Sequence, residues 1–218
     1  MLSYLFSNPL LFVIYMLALL IAITIHEFSH AFVADYLGDP TPRLQKRLSL
    51  NPMVHIDTFG LLFLLLVGFG WGKPVVFDPF NLKNPRKDAA LISIAGPTSN
   101  FIMAIVLSIL LRLLQLFDLP AIFTISSFFL IPIISLNVVL GVFNLLPINP
   151  LDGFKIVGGI LSERKAREWY QLERYGLIFL ILLIIPLGGS SMLDLLIRPA
   201  VTFLLHLLVP INIAGGII

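Results

Sequence analysis

No cysteine occurs anywhere in the chain, so disulfides, thiolate metal sites and cysteine nucleophiles are excluded together. Charge is nearly as scarce. Charged residues make up 12% of the 218 positions, about half the roughly 25% usual in soluble domains. The formal net charge of +2 is too small to favour nucleic acid as a partner, and no basic tract stands apart from the apolar runs. Residues 1–9 carry no basic segment of the kind that opens a secretory signal, so the first apolar run is expected to be a retained span. No internal repeat is visible, which gives no support to an inverted-repeat transporter.

What remains is apolar. Hydrophobic residues supply 58% of the chain and the mean hydropathy is +1.01, values that fit a polytopic membrane protein in a lipid bilayer. The expected fold is all-α, a polytopic membrane protein of five to six transmembrane helices in a single domain over 1–218. Its core is expected at about 10–160, with two further spans within about 171–210. The first run, about 10–37, stops at Gly38-Asp39-Pro40. Residues 89–117 and 121–146 form the next two clear spans. Basic residues Arg43, Lys46 and Arg47 follow the first run, which places that face in the cytoplasm by the positive-inside rule. Lys73, Lys83, Arg86 and Lys87 follow residues 60–71, so both flanks of that short stretch carry the cytoplasmic signature. A re-entrant element, such as a β-hairpin dipping into the membrane, is expected there; a sixth, short span is the alternative.

The stretch that carries chemistry is His26-Glu27-Phe28-Ser29-His30, an H-E-x-x-H set inside the first apolar run. Residues four apart share one helix face, so both histidines can aim at one ion. Neutral imidazoles suit zinc, and Glu27 can stay off the metal and take a proton from water. Ionisable groups in a span are costly, about 2.5–3.5 kcal/mol each at mid-membrane, so they imply a partner. Helix packing near the interface is the plain alternative for the two histidines. Proton or ion carriage in a transporter is another, though it leaves Glu27 unexplained. Two histidines do not complete a catalytic zinc site, which usually has three protein ligands. Asp152, just after a proline-punctuated span, and Asp57, with His55 beside it, are the candidates; from local sequence, Asp152-Gly153 reads first as an ordinary turn, and His55 with Asp57 reads also as a solvated interfacial loop. Pro97 should kink its span and bring Asn100 either toward a cavity or onto a neighbouring helix. His206 reads as an interfacial histidine.

Four ordered motifs then carry a resemblance: His26-Glu27-Phe28-Ser29-His30, Asn51-Pro52-Met53-Val54-His55-Ile56-Asp57, Gly96-Pro97-Thr98-Ser99-Asn100, and Asn144-Leu145-Leu146-Pro147 leading to Leu151-Asp152-Gly153. Over about 10–153 the chain resembles the site-2 protease family of intramembrane zinc metalloproteases, in a minimal form without a PDZ or CBS domain. The resemblance implies one Zn2+ per chain held by His26, His30 and Asp152, with Glu27 as general base. It implies Asn144 as a contact for the scissile carbonyl or its oxyanion; the cavity-facing reading of Asn100, taken from the Pro97 kink, would make Asn100 a second substrate contact. It further implies a transmembrane protein as substrate, regulated intramembrane proteolysis as the setting, and short strands near the entrance to which an unwound substrate adds. The expected location is a prokaryotic cell membrane, with the active site nearer the cytoplasmic side. Thr58 stands where many members have proline after the second motif's aspartate. A metal-binding or ion-translocating membrane protein without proteolysis is the alternative function.

Overall fold

Three long apolar helices organise the structure, a computed structural model that describes residues 2–67, 70–117, 120–187 and 189–210. After a short α1 (Leu2–Ser7) come α2 (Pro9–Tyr36), a single turn α3 (Thr41–Leu44), α4 (Thr58–Val67), α5 (Pro85–Leu116) and α6 (Pro120–Asn144). Then follow α7 (Asp152–Ile160), α8 (Glu163–Tyr170), α9 (Glu173–Ile184), a ribbon of β1 (Pro186–Leu187) with β2 (Ser190–Ser191), and α10 (Met192–Leu208). Helices α2, α5 and α6, of 28, 32 and 25 residues, are each long and apolar enough to cross a membrane. At about 1.5 Å per residue, all three exceed a hydrocarbon core of about 30 Å. Helices α9 and α10, with 12 and 17 residues, are shorter than the roughly 20 residues of a full span.

The distribution of side chains is inverted relative to a water-soluble bundle. Leu10, Val13, Leu17 and Ile21 on α2, and Ile102, Ile105, Val106 and Ile109 on α5, are exposed. The buried positions include Thr24, His26, His30, Ser93, Asn100 and Asn137. In lipid, apolar surface gains nothing by hiding, whereas polar groups must find partners inside the protein. Small residues let the backbones close: Ala18, Ala22, Ala31, Ala34 and Ala104 are fully buried where α2, α5 and α6 pack. Farther along α5 and α6, Leu111, Ile134 and Val138 form an apolar cluster completed by Val209 after α10.

Residues 60–71, expected as a re-entrant element such as a β-hairpin or as a short span, form no hairpin among the described residues, which leave out 68 and 69. Residues 60–67 are helical within α4, where five of the six residues 61–66 are leucine, a strong helix former. Asp57 caps this helix, accepting from the Gly60 N–H at 2.7 Å. Among the described residues of this region, strand character is confined to one antiparallel bridge between Ile56 and Gly72, with the Lys73 N–H donating to the His55 carbonyl at 2.8 Å. Beyond it the chain runs without regular structure to Asp78. The buried Arg47 guanidinium ties the loop together, donating to the carbonyls of Val54, Lys73 (2.8 Å) and Pro74 (2.7 Å). Pro97 does not interrupt α5, which continues through it.

The turn after α2 is fixed by Asp39. Its carboxylate is buried and accepts from the Thr41 N–H (3.0 Å), the Thr41 hydroxyl (2.6 Å), the Asp78 N–H (2.7 Å) and the Asn81 amide (2.8 Å). Burial alone would raise its pKa, but these hydrogen bonds to the charged form outweigh burial and hold it below the ordinary carboxylate range. A depressed folded-state pKa contributes stability above the unfolded value of about 3.9 and loses it as pH falls through the folded value. Asp39→Asn is therefore expected to lower thermal stability in detergent by about 2 kcal/mol at neutral pH. The gap from the unsubstituted chain should close as pH falls below about 4, and a gap independent of pH would contradict the assignment.

Candidate metal centre

One turn of α2 separates His26 from His30, and their rings meet edge to face with centroids 4.6 Å apart. Helix α5 holds both from the side. Ile92, Gly96 and Asn100 follow one another at intervals of four and so share a face. The Ile92 carbonyl accepts from His30 Nδ1–H at 2.7 Å, and Asn100 Oδ1 accepts from His26 Nδ1–H at 2.6 Å. Between them Gly96 leaves the room the rings occupy: a Cβ there would lie 2.4 Å from His30 Nε2 and 2.7 Å from His26 Cε1. The glycine and asparagine of Gly96-Pro97-Thr98-Ser99-Asn100 thus serve the two histidines directly.

With both Nδ1 atoms donating, both Nε2 atoms of the neutral rings carry lone pairs. They point at each other across 3.0 Å and at Asp152 Oδ2, which lies 3.0 Å from His26 Nε2 and 3.2 Å from His30 Nε2. Asp152 Oδ2 is buried and has no hydrogen-bond donor among the described residues. Three lone pairs converging without a proton between them repel one another unless a cation sits among them. Ligand atoms about 2.0–2.1 Å from a tetrahedral zinc lie about 3.3 Å apart, close to these separations. The residues present fit a zinc ion, with a fourth position left for water or substrate.

Asp152 reaches the histidines because its helix is anchored. It opens α7, and Gly153 packs so closely against the preceding loop that a Cβ would fall 2.3 Å from the Leu145 and Leu146 carbonyls. Trp169 of α8 donates to the Phe154 carbonyl at 2.9 Å and stacks on the Phe154 ring. Arg86 of α5 donates to the Gly158 and Leu161 carbonyls at the other end of α7.

Glu27 stays off the cluster. It is half-buried, and its Oε2 accepts from the Val75 N–H of the extended segment at 2.9 Å. Asp57, the rival third ligand, caps α4 and lies outside the cluster, while His55 Nε2–H donates to the Ser49 carbonyl at 2.7 Å. Asn100 is placed differently from the substrate contact expected of it. It is fully buried, and its two N–H groups go to the Ala22 carbonyl (3.0 Å) and Asn137 Oδ1 (2.8 Å) while its oxygen holds His26, so nothing remains for substrate. Asn144 ends α6 with its amide donating to the Leu140 carbonyl at 3.0 Å. His206 donates to the Thr202 carbonyl within exposed α10. Sequence reasoning missed Asn137, the Ile92 carbonyl and the Val75 N–H. A lone amide within the apolar run of α6 was a readable signal for the first; backbone groups carry none.

Comparison with known proteins agrees with this geometry. The model of Peptidase family M50 matches residues 14–126 and 114–187. The protein named "Putative zinc metalloprotease YwhC", of Bacillus subtilis, is 40% identical over 178 residues, which cover 79% of this chain and 81% of that protein. Rip2 of Mycolicibacterium smegmatis, named likewise, is 32% identical over 183 residues, covering 80% of this chain and 68% of its own length. Zinc metalloprotease MJ0392 of Methanocaldococcus jannaschii is 30% identical over 163 residues, 72% of this chain and 37% of that protein. No solved structure gives a significant match. The matched stretch takes in both histidines, Glu27 and Asp152, and on that extent of likeness the chain belongs to peptidase family M50, the zinc metalloproteases of the site-2 protease type.

Proposed function

We propose that this metalloprotease hydrolyses peptide bonds of transmembrane substrate segments within or beside the bilayer, as in regulated intramembrane proteolysis. One zinc per chain is held by His26, His30 and Asp152. The observation that carries this reading is the convergence of His26 Nε2, His30 Nε2 and Asp152 Oδ2 beside long apolar helices, with no hydrogen-bond donor to the carboxylate oxygen among the described residues. Zinc bound there would supply Lewis acidity, polarising the scissile carbonyl and lowering the pKa of a water toward neutrality.

Glu27 takes the proton of the attacking water and passes it to the leaving amine. Its position directly after His26 keeps it beside the ligands without joining them, and the Val75 N–H fixes one of its oxygens. Asn144 stands eight positions before Asp152 and supports the developing oxyanion with the second N–H of its amide. A substrate helix must unwind first, because a helix buries the scissile carbonyl in its own hydrogen bonds. The unwound segment then runs beside residues 72–77, where Val76 is exposed, and adds to that extended stretch as a strand.

The whole chain forms one membrane domain. Helices α2, α5 and α6 span, α9 and α10 are two further embedded helices, and α4 enters and leaves on one side. Arg43, Lys46, Lys73, Lys83 and Lys87 mark that side as cytoplasmic, which puts the cluster near the cytoplasmic end of α2.

Elemental analysis of detergent-purified protein is expected to give about one zinc per chain. Asp152→Ala and Gly96→Ala should lose it, the latter because its methyl displaces both imidazoles, whereas Asp57→Ala should keep it. A chain that takes up no metal after zinc is supplied would sink the metal reading. Glu27→Gln is expected to retain zinc while cleavage of transmembrane reporter peptides in liposomes falls at least 100-fold. Retained cleavage in that variant would remove Glu27 as the base, and an ion flux altered by it without any cleavage in the unsubstituted chain would favour ion translocation.

A further inference from the structure

Most buried polar groups of this molecule have local duties. Asp39 and Asp88 hold turns and Arg47 ties a loop, each to backbone groups or to its neighbours. Asn137 does not fit that description. It lies inside α6 in an otherwise apolar stretch, is fully buried, and reaches across to another helix. Its Nδ2 donates to the Ile133 carbonyl at 2.8 Å, and its Oδ1 accepts from Asn100 Nδ2 at 2.8 Å.

We propose that Asn137 is a positioning residue for the metal ligand His26, acting through Asn100 to fix which ring nitrogen of His26 carries the proton. The inference rests on the zinc reading of the cluster. Its logic is directional. A backbone carbonyl only accepts, so the Ile133 carbonyl forces the Asn137 Nδ2 toward itself and leaves Oδ1 facing Asn100. Asn100 then meets two acceptors, Asn137 Oδ1 and the Ala22 carbonyl, and must present its Nδ2 to both. Its Oδ1 is left facing His26 Nδ1, 2.6 Å away, and accepts only if that nitrogen bears hydrogen. Nε2 therefore keeps its lone pair toward Asp152 and His30. Reversing any amide in the chain would set acceptor against acceptor in a buried site, which is the costly case. His30 needs no such chain, because the Ile92 carbonyl fixes its tautomer in one step. The relay joins α6 to α2 through α5, so the three long helices meet at one ligand.

A packing role for the same amide makes different predictions. Asn137→Leu keeps the branched side-chain shape and removes the acceptor, whereas Asn137→Asp, protonated in this buried site so that its O–H donates to the Ile133 carbonyl, keeps an acceptor for Asn100. The 15N shifts of His26 are read in metal-free, 15N-histidine-labelled protein, with the His26 signal assigned by its absence in His26→Gln. Zinc affinity is read by competition with a chelating indicator, and folding by thermal melting in detergent. The unsubstituted chain should show the Nδ1–H tautomer alone. Asn137→Leu should add the Nε2–H tautomer and weaken zinc binding about tenfold, the lower end of the range for groups that orient metal ligands, with melting retained. Asn137→Asp should resemble the unsubstituted chain in both readouts. An unchanged tautomer and affinity in Asn137→Leu would overturn the proposal. Equal losses in both variants that track a lowered melting temperature would do so as well, since that pattern is helix packing. If the unsubstituted chain bound no zinc, the metal reading and this role in it would fall together, while a shifted tautomer in Asn137→Leu alone would still show the amides orienting His26.

Discussion

Three lone pairs aimed at one point are the constraint on which the structure turns. His26 Nε2, His30 Nε2 and Asp152 Oδ2 stand 3.0 to 3.2 Å apart, and with both rings neutral no hydrogen lies among them. In a site shielded from water such a group is unstable by itself and strongly attracts a cation. Much of the surrounding architecture holds it together. The space at Gly96 admits the rings, Ile92 and Asn100 orient them, and Arg86 with Trp169 keeps α7 where Asp152 can reach.

The membrane setting explains why so few polar residues serve so many purposes. With apolar side chains facing outward, the interior is where hydrogen bonds can be arranged, and buried Asn100 and Asn137 find partners on other helices there. The irregular segment at residues 70–77 also finds hydrogen-bond partners within the protein. Its carbonyls meet Arg47, and the N–H of Lys73 meets the carbonyl of His55. Its Val75 N–H meets Glu27, so the loop that could receive a substrate strand also touches the group assigned as base.

Some of this was legible residue by residue. The spacing of His26 and His30 announced a shared face, and the long apolar runs announced α2, α5 and α6. Other features were ambiguous for physical reasons. The apolar run Leu61–Leu66 is too short for periodicity to separate helix from strand, and it proved helical, with Asp57 as its cap. Asp152-Gly153 carried the local signature of a turn, and only the family resemblance favoured Asp152 over Asp57 before the fold was known. Asn100 was expected either toward a cavity, as a substrate contact, or onto a neighbouring helix, because a proline kink is compatible with both. It is instead enclosed by its neighbours on α2 and α6.

By itself the sequence determined the membrane class, the three long helices and the histidine pair, because each is a matter of composition or of a period within one element. The tertiary structure alone decided that Asp152 meets those histidines, that Asn100 serves His26, that Asn137 serves Asn100, and that a backbone N–H holds Glu27. These contacts join positions far apart along the chain. Their existence depends on how helices cross and how closely small residues such as Gly96 and Gly153 let them approach, and no local pattern encodes a distance between elements.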